Sequence, residues 1–249
     1  MSKIKLQKAV QSAGIDSRRK IRQSIHEGKF KVNDKVVKDP NFLIDPALDA
    51  VRLKNKKLDI KPEATAYFIL NKPYGVICTL DDPQGRPTIK EFITKIKERV
   101  YPVGRLDYNS EGLILLTNDG ELTNFIISPR NQIPKLYLVK IKGTLKEAEA
   151  EKLKSKGIFM DGIRVKPLKI DFVRKTGKDN SWLNVAIIEG KKHILRKMFK
   201  YLGHPVEKLK RTAIGTFKLK KLPPGHWREL TEEEVAQFKK EYNFKTEID

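Results

Sequence analysis

The chain has one cysteine, Cys78, so it cannot form an intramolecular disulfide or a thiolate zinc site. Its four histidines, His26, His193, His204 and His226, are scattered without metal-ligand spacing, and a protein without metal or cofactor is the expectation. No apolar run approaches the ~20 residues needed to span a bilayer. The opening MSKIKLQKAVQSAG shows neither the apolar stretch nor the small-residue cleavage site of a secretory signal, so a cytoplasmic location is expected. No glycine-rich loop follows any strand-like run, which argues against enzymes that carry a nucleotide cofactor.

Acidic residues are also scarce: 31 Asp and Glu face 52 Lys and Arg, a net charge of +21. Residues 1–40 hold 11 basic and 4 acidic side chains and residues 191–221 hold 11 and 1, so two segments supply 17 of the 21 net charges. A surface that merely solubilises mixes both signs, whereas clustered excess is the footprint of phosphate contacts. A polyanionic partner is expected. A membrane surface is disfavoured because neither cluster carries aromatics on an amphipathic stripe.

The first sixty residues form a unit of their own. Leu6 and Val10 lie one helical turn apart with Gly14 as a stop, and Asp16 or Ser17 can cap a second helix over SRRKIRQSIHEG. Ile21 and Ile25 are its apolar stripe, while Arg18, Arg19, Lys20 and Arg22 stand near its start. Phe30 and Val32 then alternate with Lys29 and Lys31, and Asn33-Asp34 can turn the chain into a hairpin returning through Val36-Val37. The charged, proline-containing LKNKKLDIKPEATA reads as a short linker, dividing the chain at 1–61 and 62–249. Beyond it, apolar runs (YFILN, GLILLT, LYLVKI, WLNVAII) alternate irregularly with helical stretches (LKEAEAEKLKSK, TEEEVAQFKKEY), which points to α+β with a largely antiparallel sheet.

Within YPVGRLDYNSEGLILLTNDGELTNFI, Gly104 permits a tight turn, Arg105 and Asp107 follow in the loop, Gly112 allows close approach, and Leu113–Leu116 form a buried strand. A carboxylate is thus held on a rigid edge. By itself Asp107 can equally cap the next segment or pair with Arg105.

Two resemblances sharpen this reading. AGIDSRRKIRQSIHEGKFKVNDKVV resembles the small RNA-binding module first seen in a ribosomal small-subunit protein, and the likeness covers about residues 1–60. GRLD..S.GL.LLTNDG resembles the catalytic motif of RsuA/RluB-type pseudouridine synthases, bacterial enzymes that modify ribosomal RNA. That likeness extends in order through NKPYGVICT, KLYLVKIKG, EGKKHILRKMF, LGHPVEKLKR and LPPGHWRELTEEEV. It implies a pseudouridine synthase fold with a mixed, mainly antiparallel sheet and a central basic cleft, and an isomerase without cofactor or metal. It also implies Asp107 as nucleophile, Tyr137 stacked on the target base, Arg196 paired with the aspartate, and Leu195 lining the pocket.

Arg105 is a candidate for the target phosphate or for holding the flipped nucleotide. RNA contacts are expected from Arg18, Arg19, Lys20, Arg22, Lys29 and Lys31, and from Lys191, Lys192 and Lys197. Structured ribosomal RNA is the expected substrate, the large subunit preferred over the small, bound by a monomer. A non-catalytic RNA-binding assembly factor is the alternative, and the joint presence of Asp107, Tyr137 and Arg196 argues against it.

Overall fold

A computed structural model of the protein describes residues 3–61, 63–176, 180–188, 190–191 and 193–245. The chain divides into two compact units, Met1–Thr65 and Ala66–Asp249.

The first unit comprises β1 (Ile4–Lys5), α1 (Leu6–Ser12), α2 (Arg18–His26), β2 (Phe30–Val32), β3 (Lys35–Val37), β4 (Leu43–Ile44), β5 (Val51–Leu53) and β6 (Lys56–Lys57). The Ser17 side chain accepts the Lys20 N–H and so caps α2. Asn33 and Asp34 adopt positive φ, 48° and 63°, the left-handed pair that a tight hairpin turn between β2 and β3 requires. Leu6, Val10, Ile21, Ile25, Phe30, Val32 and Ile44 close one small core.

The expected linker is largely part of this unit. Strands β5 and β6 pair across a second left-handed turn at Lys54 and Asn55, β5 joins β2, and Ile60 is buried in the core. The lysine-rich composition of 53–61 hid a hairpin whose inward residues are spaced too sparsely to show periodicity.

The second unit comprises β7 (Tyr67–Lys72), β8 (Tyr101–Pro102), β9 (Glu111–Thr117), α3 (Gly120–Ile127), β10 (Lys135–Lys142), α4 (Glu147–Lys156), β11 (Ile158–Met160), β12 (Ile163–Val165), β13 (Lys169–Thr176), β14 (Asn180–Ile187), α5 (Ile194–Tyr201), β15 (Val206–Ile214), β16 (Phe217–Lys218), β17 (Trp227–Glu229) and α6 (Glu232–Glu241). Among the described residues nine strands form one sheet, with the path β13-β14-β10-β15-β9-β7-β17 and with β16 and β8 attached to β15 and β9. Every pairing is antiparallel except β15 with β9. The chain is therefore α+β with a mixed, mainly antiparallel sheet.

Strands β7 and β9 are apolar on both faces because both are covered. Ile69, Leu113 and Leu115 pack with α3 and α6, while Phe68, Leu70, Ile114 and Leu116 meet the 76–100 segment. Strands β10 and β14 instead alternate. Val139, Ile141, Leu183, Val185 and Ile187 face α4 and α5, whose Leu153, Leu195, Met198 and Phe199 complete a third core.

The two halves of the sheet meet at the parallel pair, where Lys210 aligns with Glu111 and Arg211 with Gly112. Gly112 has φ +107°, and a Cβ there would stand 2.2 Å from the Arg211 carbonyl oxygen and 2.7 Å from its nitrogen. Only glycine admits this approach. Gly112→Ala should lower unfolding free energy by about 3 kcal/mol or more, since backbone has to separate at a buried seam. Urea unfolding followed by circular dichroism checks this, and an unchanged midpoint would mean that the seam is not under that constraint.

Candidate active site

One row of paired residues crosses five strands at the seam. Val185 of β14 pairs with Tyr137 of β10, Tyr137 with Arg211 of β15, Arg211 with Gly112 of β9, and Gly112 with Lys72 of β7. Directly paired residues present their side chains to one face of a sheet. A bulge between Leu136 and Tyr137 sets that register, and the Thr212 hydroxyl donates to the Leu136 carbonyl beside it (3.2 Å). The row thus brings an aromatic ring and two cations to a common face.

Over the Tyr137 and Arg211 part of that face lies a cleft of about 330 Å³, a size suited to a small ligand or a nucleoside. Its walls include Ile126, Ile187, Leu195, Leu209 and Ile214. Its polar lining comprises Arg105, Asp107, Ser110, Lys135, Tyr137, Lys191, His193 and Arg211. Asp107 is the sole carboxylate among the described residues that line it. A second groove, in the N-terminal unit between residues 46–51 and 57–61, gathers lysines and aspartates without an aromatic or a histidine.

Asp107 sits in the loop that enters β9. Its carbonyl accepts the Ser110 N–H (3.0 Å), closing a turn over Tyr108 and Asn109. Leu106 and Ser110 on either side are buried, so the loop is anchored while the Asp107 side chain stays about one-third exposed. Its Oδ1 lies 3.3 Å from His193 Nε2, at the left-handed residue that begins α5.

The guanidinium of Arg196 bonds the turn and not the Asp107 carboxylate. It donates to the Asn109 carbonyl, to Ser110 Oγ (3.5 Å) and, on the other side, to the Val206 carbonyl (3.3 Å). Arg196 therefore ties α5 and the start of β15 to the loop that carries the carboxylate. An arginine suits this because its fixed fork of donors can satisfy several carbonyls of irregular backbone at once. Leu195 lines the cleft and is 2% exposed. Tyr137 is half-buried, packed against the cores on both sides of the seam.

Two buried cations went unread in the sequence. Lys72 is fully buried, and its ammonium donates to the Pro73 and Val76 carbonyls (2.8 and 2.7 Å). Burial lowers its pKa to about 8, against the opposing pull of Cys78, Asp107 and Glu111. Burial also pushes the Cys78 thiol up, as expected of a packing cysteine. Arg211 is 5% exposed; its Nε donates to the Leu113 carbonyl (2.8 Å) while its Nη2 has no partner among the described residues. The readable signal was Leu209-x-Arg211, an arginine two residues after a buried leucine and so on the same face of the strand.

The surface cations fall into two groups. Arg18, Arg19, Lys20 and Arg22 stand exposed along α2, and Lys191 is exposed at the cleft. Lys29 pairs with Glu27, Lys31 with Asn55, and Lys197 with Asp161. Lys192 lies outside the described residues.

The family model for RNA pseudouridylate synthase matches residues 66–201, and the model for the S4 domain matches residues 4–48. An uncharacterised RNA pseudouridine synthase of Aquifex aeolicus is 44% identical over 98% of this chain and 97% of its own. The ribosomal large subunit pseudouridine synthase B of Bacillus subtilis is 38% identical over 94% and 95%. A crystal structure of a pseudouridylate synthase superposes with a TM-score of 0.63 at 30% identity, covering 94% of this chain and 99% of that one.

The depressed pKa of Lys72 has a defined consequence for stability. In the unfolded chain this lysine titrates near 10.5 and in the fold near 8, so the unfolded state binds more protons between those values and stability rises with pH. Between pH 7.5 and 9.5 the gain from this group is about 1–2 kcal/mol. Urea titrations of wild type and Lys72→Met at both pH values test it; an equal pH dependence in the two proteins would assign the gain to other groups.

Proposed function

Since the chain belongs to the RNA pseudouridylate synthase family, we propose that it isomerises one uridine of ribosomal RNA, in the large subunit before the small, with Asp107 as nucleophile. The observation that carries this reading is Asp107 as the one carboxylate among the described residues of a cleft that also presents basic side chains, apolar walls and Tyr137. The name of the Bacillus relative supports the large subunit. The S4 match and the exposed arginines of α2 support a structured RNA gripped through its phosphates; a monomer acting in the cytoplasm completes the proposal.

The reaction breaks the bond between ribose and a uracil nitrogen, turns the base, and joins the same ribose carbon to a ring carbon. That carbon loses a proton and the nitrogen gains one, so no atom is lost overall. A uridine reaches such a cleft by leaving the stack. Asp107 then either attacks the ribose carbon or stabilises and deprotonates an oxocarbenium-like species, and both routes require an ionised acid beside the sugar.

Arg196 holds that acid in place through the 107–110 turn. Arg105, exposed two residues earlier, takes a phosphate or the flipped nucleotide. Tyr137 offers the detached base a flat surface, and Leu195 closes the pocket beside it. Apolar walls suit the rotation, because non-directional contacts hold a base without fixing its orientation.

Incubation with unmodified ribosomal RNA transcripts, followed by carbodiimide labelling and primer extension, tests the proposal. A new pseudouridine made by wild type and absent with Asp107→Asn is the expected result, with RNA affinity of the variant largely intact. Turnover by Asp107→Asn would remove the nucleophile, and no new site in either subunit's RNA would favour a binding factor.

For the N-terminal unit, the triple variant Arg18→Ala, Arg19→Ala, Lys20→Ala should weaken binding and flatten the salt dependence of log Kd by about 2–3, one contact each. The single-turnover rate at saturating RNA should change less. An unchanged slope would take α2 out of the binding surface.

A further inference from the structure

Two tyrosines beside the cleft have no role in the chemistry above. Tyr74 is 62% exposed and Tyr108 is 49% exposed. Both are large amphipathic rings that proteins usually cover in part. They come from separate loops and meet with centroids 6.4 Å apart and planes tilted by 52°, so neither ring covers the face of the other.

Both loops are held. The Gly75 N–H donates to the Tyr108 carbonyl (3.0 Å), joining them directly. The Lys72 ammonium gathers the carbonyls of Pro73 and Val76 on either side of Tyr74. Tyr108 sits within the turn closed by Ser110 on Asp107 and bonded by Arg196 at Asn109. Gly75 adopts φ +75°, and a Cβ there would lie 3.7 Å from the Tyr108 hydroxyl, so the two loops run close together. The rings are therefore mounted on ordered backbone, and binding on them need not first order a mobile segment.

A single exposed aromatic needs no explanation. Here two converge one residue from the cleft's only described carboxylate, with exposed Arg105 in the same loop and a net charge of +21 on the chain. Aromatic surface beside cationic surface fits unpaired nucleotides, whose bases stack while their phosphates meet positive charge.

We propose that Tyr74 and Tyr108 form a stacking platform for the unpaired bases that flank the target uridine. This rests on the reading that the chain acts on a uridine in RNA. When that uridine leaves the stack, each neighbouring base loses a partner, and the platform supplies a replacement surface. It also favours target uridines in loops and bulges over those inside duplexes, because paired neighbours cannot reach the rings.

The test uses the full chain and hairpin transcripts built around the uridine mapped in the labelling assay, with 2-aminopurine placed immediately before or after it. Wild type and the Tyr74→Phe, Tyr108→Phe double variant should quench the probe in at least one of the two positions. The Tyr74→Ala, Tyr108→Ala double variant should leave it unquenched and bind about tenfold more weakly, the loss expected for missing base–aromatic stacking. Equal quenching and equal affinity with the alanine variant would overturn the platform, with the enzyme reading left standing. If wild type makes no pseudouridine in any transcript, the enzyme reading itself has failed, and the platform fails with it.

Discussion

The catalytic unit depends on the approach of two backbones at Gly112 and Arg211. The sheet consists of two antiparallel halves, β13-β14-β10-β15 and β9-β7-β17, and they are joined through a short parallel pairing of two residues each. No side chain larger than hydrogen fits at position 112. This contact aligns Tyr137, Arg211 and Lys72 in one row across strands that are far apart in the chain. It also fixes where β9 begins, and with it the loop that places Asp107 over the row. The residues that line the cleft are thus registered to one another by hydrogen-bonded backbone, which is far stiffer than loop-to-loop packing.

The electrostatics of the cleft follow from the same geometry. Lys72 and Arg211 lie buried along the row, and each uses a backbone carbonyl as partner instead of an acid. Carbonyl dipoles solvate a cation without neutralising it, so positive charge persists at Arg211, which lines the cleft. Arg196 sends its donors to the Asn109 and Val206 carbonyls, so its contribution is the position of the loop. The resemblance had assigned pairing with the aspartate to Arg196, and in this fold the side chain that meets the Asp107 carboxylate is the His193 ring, at 3.3 Å.

Much of this was legible in the sequence where a local rule sufficed. The Asn33-Asp34 hairpin, the Ser17 cap, the stripe of Ile21 and Ile25, and the loop–strand sequence from Gly104 to Leu116 each follow from a few neighbouring residues. Residues whose role depends on distant strands were not legible. Arg211 looked like one more member of a basic cluster, and only its place two residues after the buried Leu209, on the same face of β15, distinguishes it. Lys72 was hidden in an apolar run that ends at a proline. The hairpin of β5 and β6 was masked by lysines on its outer face. In each case the deciding fact is which face a side chain takes, and in a strand that alternates with every residue, so composition averaged over a window erases it.

The two units divide the physical work differently. On the proposed function, phosphate contacts from α2 would attract any RNA and fade with salt, supplying affinity without choosing a uridine. Choice has to come from what a flipped nucleotide and its neighbours meet at the cleft, where charge is partly buried and the backbone is held at several points. On the same proposal, substrate choice would tolerate change in the basic N-terminal segment better than change in the 72–78 or 104–112 loops, which set the shape around Asp107. The position of the 104–112 loop at the seam traces back to the bare backbone at Gly112, where only hydrogen fits against Arg211.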